Sequence, residues 1–448
     1  MSALSDRDRS IFAERRQRLA SLMPAGSVAL FPSAPIANRN NDVDHEYRQD
    51  SDLYYLTGFA EPESLGVLKR DEDGHRFELV VRPRDPEREI WDGRRAGVEG
   101  AVRDFGADEA HANSALDKVV EASLAGRSTL VYALGAHPAF DPLVLRLLTH
   151  FRSRKRKVPP GPSSVLDTAA LVHEMRLFKS PAEIAYMQEA ADITAEAHTA
   201  AMRALKPGMN ERQIQAILEG TFRMMGSPRN GYPCIVAGGA NATILHYNDN
   251  GQPIPAGGLL LIDAGAETEY YTADVTRTFP ADGRFTDAQR AVYEVVLKAQ
   301  LASIDCARPG RTVDEVHQAS VHALTEGMVA IGLLEGDVAE LIETEAFKRY
   351  FMHGTGHWLG MDVHDVGDYK TDEGSSRALE PGMVMTVEPG LYIAEDDDQA
   401  PERFRGIGIR IEDDVVVTDT EPLVLTSACP KTVDGIEAAM AESPRALW

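Results

Sequence analysis

Three of the 13 histidines fall within twelve residues, in the segment MHGTGHWLGMDVHD. His353 and His357 have the i, i+4 spacing of zinc-binding histidines on a helix, but the glycines between them argue against a helix. The glutamate of an HExxH motif is also missing. We therefore predict a loop that leads into a strand, on which Asp362 and His364 share one face. A turn whose histidines have no function is the alternative for this segment.

Acidic residues within apolar, strand-like stretches are the second unusual feature. Burial makes a lone carboxylate costly, so each of them needs a partner. Pairing with an arginine at a strand end is one explanation for each residue taken alone. The four candidates are Asp263 in GGLLLIDAG, Asp274 in YYTADVTRTF, Glu388 after MVMTV, and Glu412 in GIGIRIEDDVVV.

Two of these carboxylates are predicted to meet across a pair of strands. A tight connection near residues 267–269 lets the strands before and after it pair antiparallel, which brings Asp263 and Asp274 together. The period-2 alternation of a strand also places Arg410 on the same face as Glu412.

A metal site explains all four carboxylates at once. Buried carboxylates repel one another and must be neutralised, and two divalent cations cancel four negative charges. One histidine completes an oxygen-rich set of ligands, which suits Mn²⁺, Co²⁺ or Mg²⁺ better than metals that prefer thiolates. Two such ions can hold a bridging hydroxide against a substrate carbonyl.

The overall charge narrows the range of partners. The 448 residues include 46 Lys and Arg against 70 Asp and Glu, a formal net charge of −24. This charge argues against nucleic acid and membrane surfaces as partners. A basic segment at 152–157 is the only feature that favours nucleic acid, and we interpret it as a solvated loop. Three scattered cysteines and the lack of a long apolar run predict a cytoplasmic protein.

The elements that position these residues fall into two predicted domains. Short β-rich runs mixed with helical stretches indicate an α/β domain over 1–174. Its predicted strands are SVALFP, DLYYLTGF, LGVLKR, FELVVRP and VYALG.

The second predicted domain, 175–448, begins with a well-marked helix. Ser180 is its expected N-cap, with Pro181 at the first helical position and Glu183 completing a capping box. Further helices are expected at about 211–225, 286–305, 312–332 and 337–350. Between them we predict strands in CIVAGG, TILHYN, GGLLLIDAGAE, YYTADVTRTF, GMVMTVEPGLYI and GIGIRIEDDVVVT, and hence an α+β domain built on a largely antiparallel sheet.

The whole pattern resembles a known family. Asp263, Asp274, His357, Glu388 and Glu412 match the five metal ligands of the pita-bread metallopeptidases, which include methionine aminopeptidase, prolidase and aminopeptidase P. EYRQDSDLYYLTGF and EIWDGRRAG resemble the N-terminal domain of bacterial aminopeptidase P, and MRLFKSPAEI resembles the opening of the catalytic domain. The resemblance implies a pita-bread α+β catalytic domain after a smaller α/β domain.

The resemblance also implies roles for single residues. The five ligands would hold two divalent ions, with Mn²⁺ expected, and Glu388 would pass a proton from the bridging water to the leaving nitrogen. His246 and His364 would hold the substrate and stabilise the oxyanion. His353 and Arg410 match supporting positions, although a buried core histidine is the alternative for His353.

Two residues of the first domain and the assembly are further expectations from the resemblance. Asp42 and Trp91 match positions near the mouth of the active site. The family forms homo-oligomers, so we expect a dimer or tetramer.

The implied substrate is a peptide with proline in second position, cleaved before that proline. An Xaa-Pro bond is a tertiary amide without N–H, which peptidases that bind an extended backbone use poorly. Prolidase, which takes only Xaa-Pro dipeptides, is the alternative, but Trp358 and the EIWDGRRAG segment favour aminopeptidase P. Methionine aminopeptidase normally lacks the leading domain. A pita-bread protein that binds without catalysis is disfavoured because all five ligands are present.

Overall fold

The computed structural model describes residues 6–153 and 156–443. The chain divides into two compact units, Met1–Met175 and Arg176–Trp448. Within the described ranges, no helix is both long and apolar enough to cross a bilayer.

The N-terminal unit is built on one mixed sheet. Its helices are α1 (Asp6–Leu22), α2 (Ser51–Thr57), α3 (Pro86–Asp92), α4 (Gly97–Phe105), α5 (Leu116–Leu124), α6 (Asp141–Ser153) and α7 (Val172–Leu177), which runs on into the second unit. Its strands are β1 (Ser27–Pro32), β2 (Asn38–Asn40), β3 (Val43–Asp44), β4 (Leu65–Arg70), β5 (His75–Val81), β6 (Glu109–Ala112), β7 (Thr129–Val131) and β8 (Ser164–Leu166).

Six of these strands form the sheet, in the order β6-β5-β4-β1-β7-β8. Strand β4 is antiparallel to both of its neighbours, whereas the other pairs are parallel. Apolar side chains of α5 and α6 pack on β1, β4 and β7. The predicted α/β class of this half is therefore confirmed.

One predicted strand of this unit is wrong. DLYYLTGF forms helix α2, because the Asp50 side chain caps its start by accepting from the Leu53 N–H, at 3.0 Å. Gly58 ends the helix in the left-handed conformation, with φ of 64°. Leu53 and Tyr55 are buried together with their neighbours. A short apolar run that is buried all round does not distinguish strand from helix.

Two other predictions near the end of this unit differ from the structure in part. VYALG is a strand only at its first residue, the last of β7. The basic segment at 152–157 begins inside α6, which runs to Ser153, and its residues 154–155 lie outside the described part of the chain.

The second unit combines long helices with short antiparallel sheets. Its helices are α8 (Pro181–Ala204), α9 (Glu211–Met224), α10 (Asp287–Cys306), α11 (Val313–Ile331), α12 (Val338–Glu343) and α13 (Val433–Ala441). Its strands are β9 (Arg229–Asn230), β10 (Ile235–Gly238), β11 (Leu259–Asp263), β12 (Ala266–Thr268), β13 (Tyr271–Thr272), β14 (Thr276–Pro280), β15 (Val384–Val387), β16 (Gly390–Tyr392), β17 (Gly408–Arg410), β18 (Asp413–Val416) and β19 (Leu423–Val424).

The strands are grouped as β10-β11-β14, β13-β12-β9, β15-β18-β19 and β16-β17. Every pairing in these groups is antiparallel, which confirms the predicted α+β class. Helices α8 to α11 cover the strands with a continuous apolar core that includes Leu218, Phe222, Val292 and Leu324.

Local signals in this unit were reliable where they involved caps. Ser180 and Glu183 form the predicted capping box at the start of α8. The helix expected at 337–350 is interrupted, with α12 followed by a 3-10 helix at Ala346–Arg349. The strand expected in TILHYN is wrong, because Gly239–Thr243 is a 3-10 helix and residues 244–248 pair with no strand in the described chain.

Candidate metal centre

Each of the four acidic residues lies where a strand is interrupted. Asp263 ends β11, Asp274 lies between β13 and β14, Glu388 between β15 and β16, and Glu412 between β17 and β18. Four separate strand interruptions therefore direct four carboxylates into one place.

Asp263 and Asp274 meet as the predicted antiparallel pairing requires. Strand β11 pairs with β14, and the chain between them turns back through β12 and β13. A Cβ on Gly265 would lie 1.8 Å from the Ala273 carbonyl oxygen, so only glycine permits this approach. The hydroxyl of Tyr232 lies 2.7 Å from Asp263 Oδ1 and 2.5 Å from Asp274 Oδ1. It carries one proton and donates to one of them at a time.

The histidine segment is a loop, as predicted, but the strand expected after it is wrong. The chain bends through Asp362 and His364 without pairing as a strand. A Cβ on Gly356 would lie 1.9 Å from the Thr386 carbonyl oxygen. The glycine before His357 therefore lets this loop lie directly against β15.

His357 presents one ring nitrogen to the carboxylates. Its Nδ1 lies 3.0 Å from the Trp358 carbonyl oxygen, to which it donates. Its Nε2 then faces the acidic residues, 3.4 Å from Asp274 Oδ2 and 3.6 Å from Glu388 Oε1. A hydrogen bond at Nδ1 that turns Nε2 inward is the arrangement of a metal-binding histidine.

The carboxylates outnumber the cationic groups around them. Burial raises the pKa of Asp263, raises that of Glu388 to about 7, and raises that of Glu412 far above its ordinary value. Burial alone would lower the pKa of His357, but Asp274 and Glu388 outweigh it and raise this pKa to about 9. Without other cations, the cluster reaches charge balance only by taking up protons.

The donor set fits divalent cations. Ligand atoms of Asp274, His357 and Glu412 all lie within 4.8 Å of one another. Cations that replace protons satisfy the same charge deficit, and carboxylate and imidazole donors suit hard or borderline divalent metals.

Arg410 is the guanidinium of the centre. Its Nη2 donates to Asp263 Oδ2 at 2.6 Å, and its Nη1 to the Tyr392 hydroxyl at 3.2 Å. Its Nε donates to Thr276 Oγ1 at 3.0 Å, and that hydroxyl donates to Glu412 Oε2 at 2.6 Å. One arginine thus holds two of the four carboxylates, one directly and one through a threonine.

The remaining predicted histidines surround the carboxylates. The ring of His364 lies 4.2 Å from that of His357, at an angle of 74°. His353 Nε2 lies 2.9 Å from the Tyr392 hydroxyl and its Nδ1 2.7 Å from the Gly354 carbonyl. Burial, followed by nearby Arg410, lowers the pKa of His353 to about 4.

All nine predicted residues of the second unit line one cavity of about 440 Å³. Asp42 and Trp91 belong to the N-terminal unit, where both are exposed. The nine are His246, Asp263, Asp274, His353, His357, His364, Glu388, Arg410 and Glu412.

Three further residues at the centre were missed by the sequence reasoning. Tyr232 and Thr276 contact the predicted carboxylates, and the buried Asp414 accepts the Asp274 N–H, at 3.1 Å. Asp414 follows Glu412 in the acidic run EDD, which is a usable signal. Nothing in the sequence singles out the tyrosine and the threonine, because their partners are distant along the chain.

Comparison with known proteins agrees with this geometry. Residues 185–419 match the model of metallopeptidase family M24, and residues 12–132 match the aminopeptidase P N-terminal domain. The chain is 44% identical to Xaa-Pro aminopeptidase of Escherichia coli, over 98% of this chain and 99% of that protein.

Solved structures agree as well. The structure of Pseudomonas aeruginosa aminopeptidase PepP superposes with a TM-score of 0.95 at 48% identity, over 98% of this chain and 99% of that one. Zinc-substituted Escherichia coli aminopeptidase P in complex with product has a TM-score of 0.94 at 44% identity, over the same shares. The chain therefore belongs to metallopeptidase family M24, with an N-terminal domain of the aminopeptidase P type.

Proposed function

We propose that the protein is a metal-dependent aminopeptidase that releases the N-terminal residue from peptides with proline in second position. The observation that carries this proposal is the group of four carboxylates and His357 converging on one cavity, with too few cationic side chains to neutralise them. Relatives that match over nearly the whole chain are named for this activity.

We propose that Asp263, Asp274, His357, Glu388 and Glu412 hold two divalent ions, with Mn²⁺ as the native metal. When bound, such ions supply Lewis-acid polarisation of the scissile carbonyl and activation of a water. The oxygen-rich donor set supports this assignment, since none of the three cysteines is among the cavity residues.

Glu388 is the side chain best placed to move a proton. Its side chain is 19% exposed, compared with 12% for Asp263 and 7% for Asp274, and it lines the cavity. It would take a proton from the attacking water and deliver it to the proline nitrogen, which must be protonated to leave.

His246 and His364 are proposed to bind the substrate carbonyl and to stabilise its developing negative charge. Both line the cavity beside the carboxylates. Arg410 and His353 are proposed to orient the metal-binding carboxylates. Arg410 donates to Asp263, and both residues contact Tyr392.

The cavity also has an apolar part suited to a proline ring. Pro233, Ile235, Leu245 and Val363 line it together with the charged residues. A pyrrolidine ring has no N–H and gains by burial against such side chains.

The test removes the metal and follows one peptide bond. Dialysis against a chelator should abolish cleavage of an Xaa-Pro-Yaa tripeptide, and Mn²⁺ should restore it. A tripeptide with alanine in place of proline is the matched control and should be cleaved poorly. Cleavage that persists without metal would overturn the proposal.

A second assay separates this activity from that of a prolidase. Xaa-Pro dipeptides and Xaa-Pro-Yaa tripeptides are compared at equal concentration. Activity on the tripeptide supports the aminopeptidase, whereas hydrolysis of dipeptides alone would show a prolidase instead.

We propose a division between an N-terminal domain over 1–174 and a catalytic domain over 175–448, and a homo-oligomer of two or four chains. Ile90 and Trp91 on α3 are 80% and 84% exposed, and exposed apolar side chains of this kind are often covered by another subunit. We also propose that Asp42 and Trp91 lie at the entrance through which the substrate reaches the active site. Three free cysteines support a reducing, cytoplasmic location.

Light scattering tests the assembly. Trp91→Glu should reduce the mass in solution, and an unchanged mass for this variant would remove α3 from the interface.

A further inference from the structure

The loop that carries His364 is held by hydrogen bonds at several points. His357 and Thr386 exchange two hydrogen bonds, N–H to Oγ1 at 3.1 Å and N–H to carbonyl at 2.9 Å, which fix the start of the loop to β15. The Asp365 N–H donates to the Trp358 carbonyl at 2.9 Å and closes the loop on itself.

The imidazole of His364 depends on this backbone for its position. Within the part of the chain that the structure describes, its side chain makes no hydrogen bond, and it contacts the ring of His357 edge-on. A side chain that makes no hydrogen bond of its own lies where its backbone places it. The contacts that hold the neighbouring Asp365 in place therefore also determine the position of His364.

Asp365 is fixed by two buried cations. Arg176 Nη2 lies 2.6 Å from its Oδ1, and Lys179 Nζ lies 2.9 Å from its Oδ2. The side chains of Arg176, Lys179 and Asp365 are 3%, 1% and 1% exposed. Each oxygen of one carboxylate therefore has its own cation, in a region from which water is excluded.

The same cations reach other parts of the loop and of the sheet. Arg176 Nη2 also lies 2.7 Å from Asp362 Oδ2, so it joins two carboxylates of the loop. The Lys179 N–H donates to the Gly382 carbonyl at 2.8 Å, at the turn before β15. The cluster thus connects the loop to β15, the strand that immediately precedes Glu388.

The loop backbone packs directly on the ion pair. A Cβ on Gly360 would lie 2.1 Å from Asp365 Oδ2 and 2.9 Å from Lys179 Cε. The Gly360 carbonyl accepts the Thr272 N–H at 3.0 Å, two residues before Asp274. A shift of the ion pair would therefore move the backbone on the side of the metal centre.

We infer that Arg176, Lys179 and Asp365 form a positioning cluster, which sets the place of His364 beside His357 without contacting the substrate. The inference rests on the proposed function for what His364 does. Two cations on one carboxylate give the loop a single arrangement, since any other position leaves a buried charge unpaired.

Lys179→Met is the direct test, because it keeps the length of the side chain and removes its charge. We expect kcat for an Xaa-Pro-Yaa tripeptide to fall about tenfold or more, as a displacement of about 1 Å in a catalytic group costs such factors. Lys179→Arg should restore most of the rate. Lys298→Met, which removes a lysine paired with Glu326 on the surface, is the matched control and should leave kcat unchanged.

A double-mutant cycle separates positioning from general loss of structure. In a His364→Ala background, Lys179→Met should lower kcat by less than about twofold, because the side chain it positions is gone. An equal loss in both backgrounds would show a merely structural role and overturn the inference.

A variant with balanced charge protects the test against failure to fold. Lys179→Met combined with Asp365→Asn removes one positive and one negative charge and leaves Arg176 paired with Asp362. Its crystal structure should show the two imidazole rings farther apart than the 4.2 Å of the unchanged protein. Rings at an unchanged separation would overturn the inference. An inactive wild-type protein would refute the proposed function, and this structural comparison would still decide the positioning.

Discussion

Glu412 and Asp413 are neighbours in the chain and equally buried, yet their surroundings are opposite. Asp413 accepts hydrogen bonds from Arg277 Nη2 at 2.7 Å and Lys431 Nζ at 2.5 Å. These cations more than offset its burial and lower its pKa to about 2. Glu412 faces Asp263, Asp274 and Glu388, with Arg410 as the shared guanidinium, and its pKa is raised.

The difference distinguishes a carboxylate that supports the fold from one that we propose as a metal ligand. Asp413 has more cationic partners than it needs, so it contributes to the native structure without any addition. The four carboxylates of the centre lack such partners, and the divalent ions of the proposed function would supply the missing positive charge. Burial is the same on both sides, so the balance of charge is the informative property.

The largest expected effect separates activity from stability at the centre. Glu388→Ala should lower kcat by roughly 10²- to 10⁴-fold, the contribution of a positioned acid–base group. The free energy of unfolding of the metal-free protein should not fall, because one of several repelling carboxylates is removed. Steady-state kinetics and urea denaturation in chelator measure the two quantities. Near-normal turnover would remove Glu388 from the mechanism.

At Asp413 we expect the reverse, a loss of stability. Asp413→Ala should lower the free energy of unfolding by about 3–5 kcal/mol, because it leaves buried cations unpaired. Asp117→Ala removes a carboxylate from an ion pair in which both side chains are 62% exposed, and this control should cost at most about 1 kcal/mol. Equal losses in the two variants would contradict the distinction.

Mn²⁺ should stabilise the folded protein only by binding at the proposed metal centre. At a Mn²⁺ concentration about 100 times the Kd, the free energy of unfolding should rise by about 2.7 kcal/mol for each bound ion. Asp274→Ala should lose this gain, while Asp117→Ala should keep it. Thermal unfolding with and without Mn²⁺ is the measurement, and a gain that survives in Asp274→Ala would place the metal elsewhere.

The smallest expected effect is the pH dependence of a well-paired carboxylate. Burial alone would raise the pKa of Asp365, but Lys179 and Arg176 hold it below its ordinary value. A lowered pKa stabilises the native state above the unfolded value of about 3.9, and this contribution is lost as the pH falls below it. Asp365→Asn should be less stable at pH 7 and should lose less stability on acidification. Denaturation at several pH values checks the slopes.

The part of the site that the sequence predicted is the part whose signal is local. An acidic residue inside an apolar strand is costly wherever it lies, which made Asp263, Asp274, Glu388 and Glu412 visible. The capping box at Ser180 is equally local. Both signals need no knowledge of the tertiary structure.

The errors and omissions depend on contacts between distant residues. DLYYLTGF was predicted as a strand because an apolar run that is buried on all sides has the same pattern in a strand and in a helix. Tyr232 contacts two carboxylates that lie 31 and 42 residues away along the chain. Asp365 meets its cations across 189 and 186 residues. No spacing rule connects positions so far apart.

Arg410 sets the direction of the hydrogen bonds around it, because a guanidinium only donates. The Tyr392 oxygen accepts from Arg410. The Gly354 carbonyl, which only accepts, holds the imidazole proton of His353 on Nδ1, so the Tyr392 hydroxyl donates to His353 Nε2. On the other side, the Thr276 hydroxyl accepts from Arg410 and donates its hydrogen bond to Glu412 Oε2. Arg410 is the donor at the start of both series of hydrogen bonds, and it keeps its charge at any working pH. An incoming peptide therefore meets a constant order of donors and acceptors along this wall of the cavity.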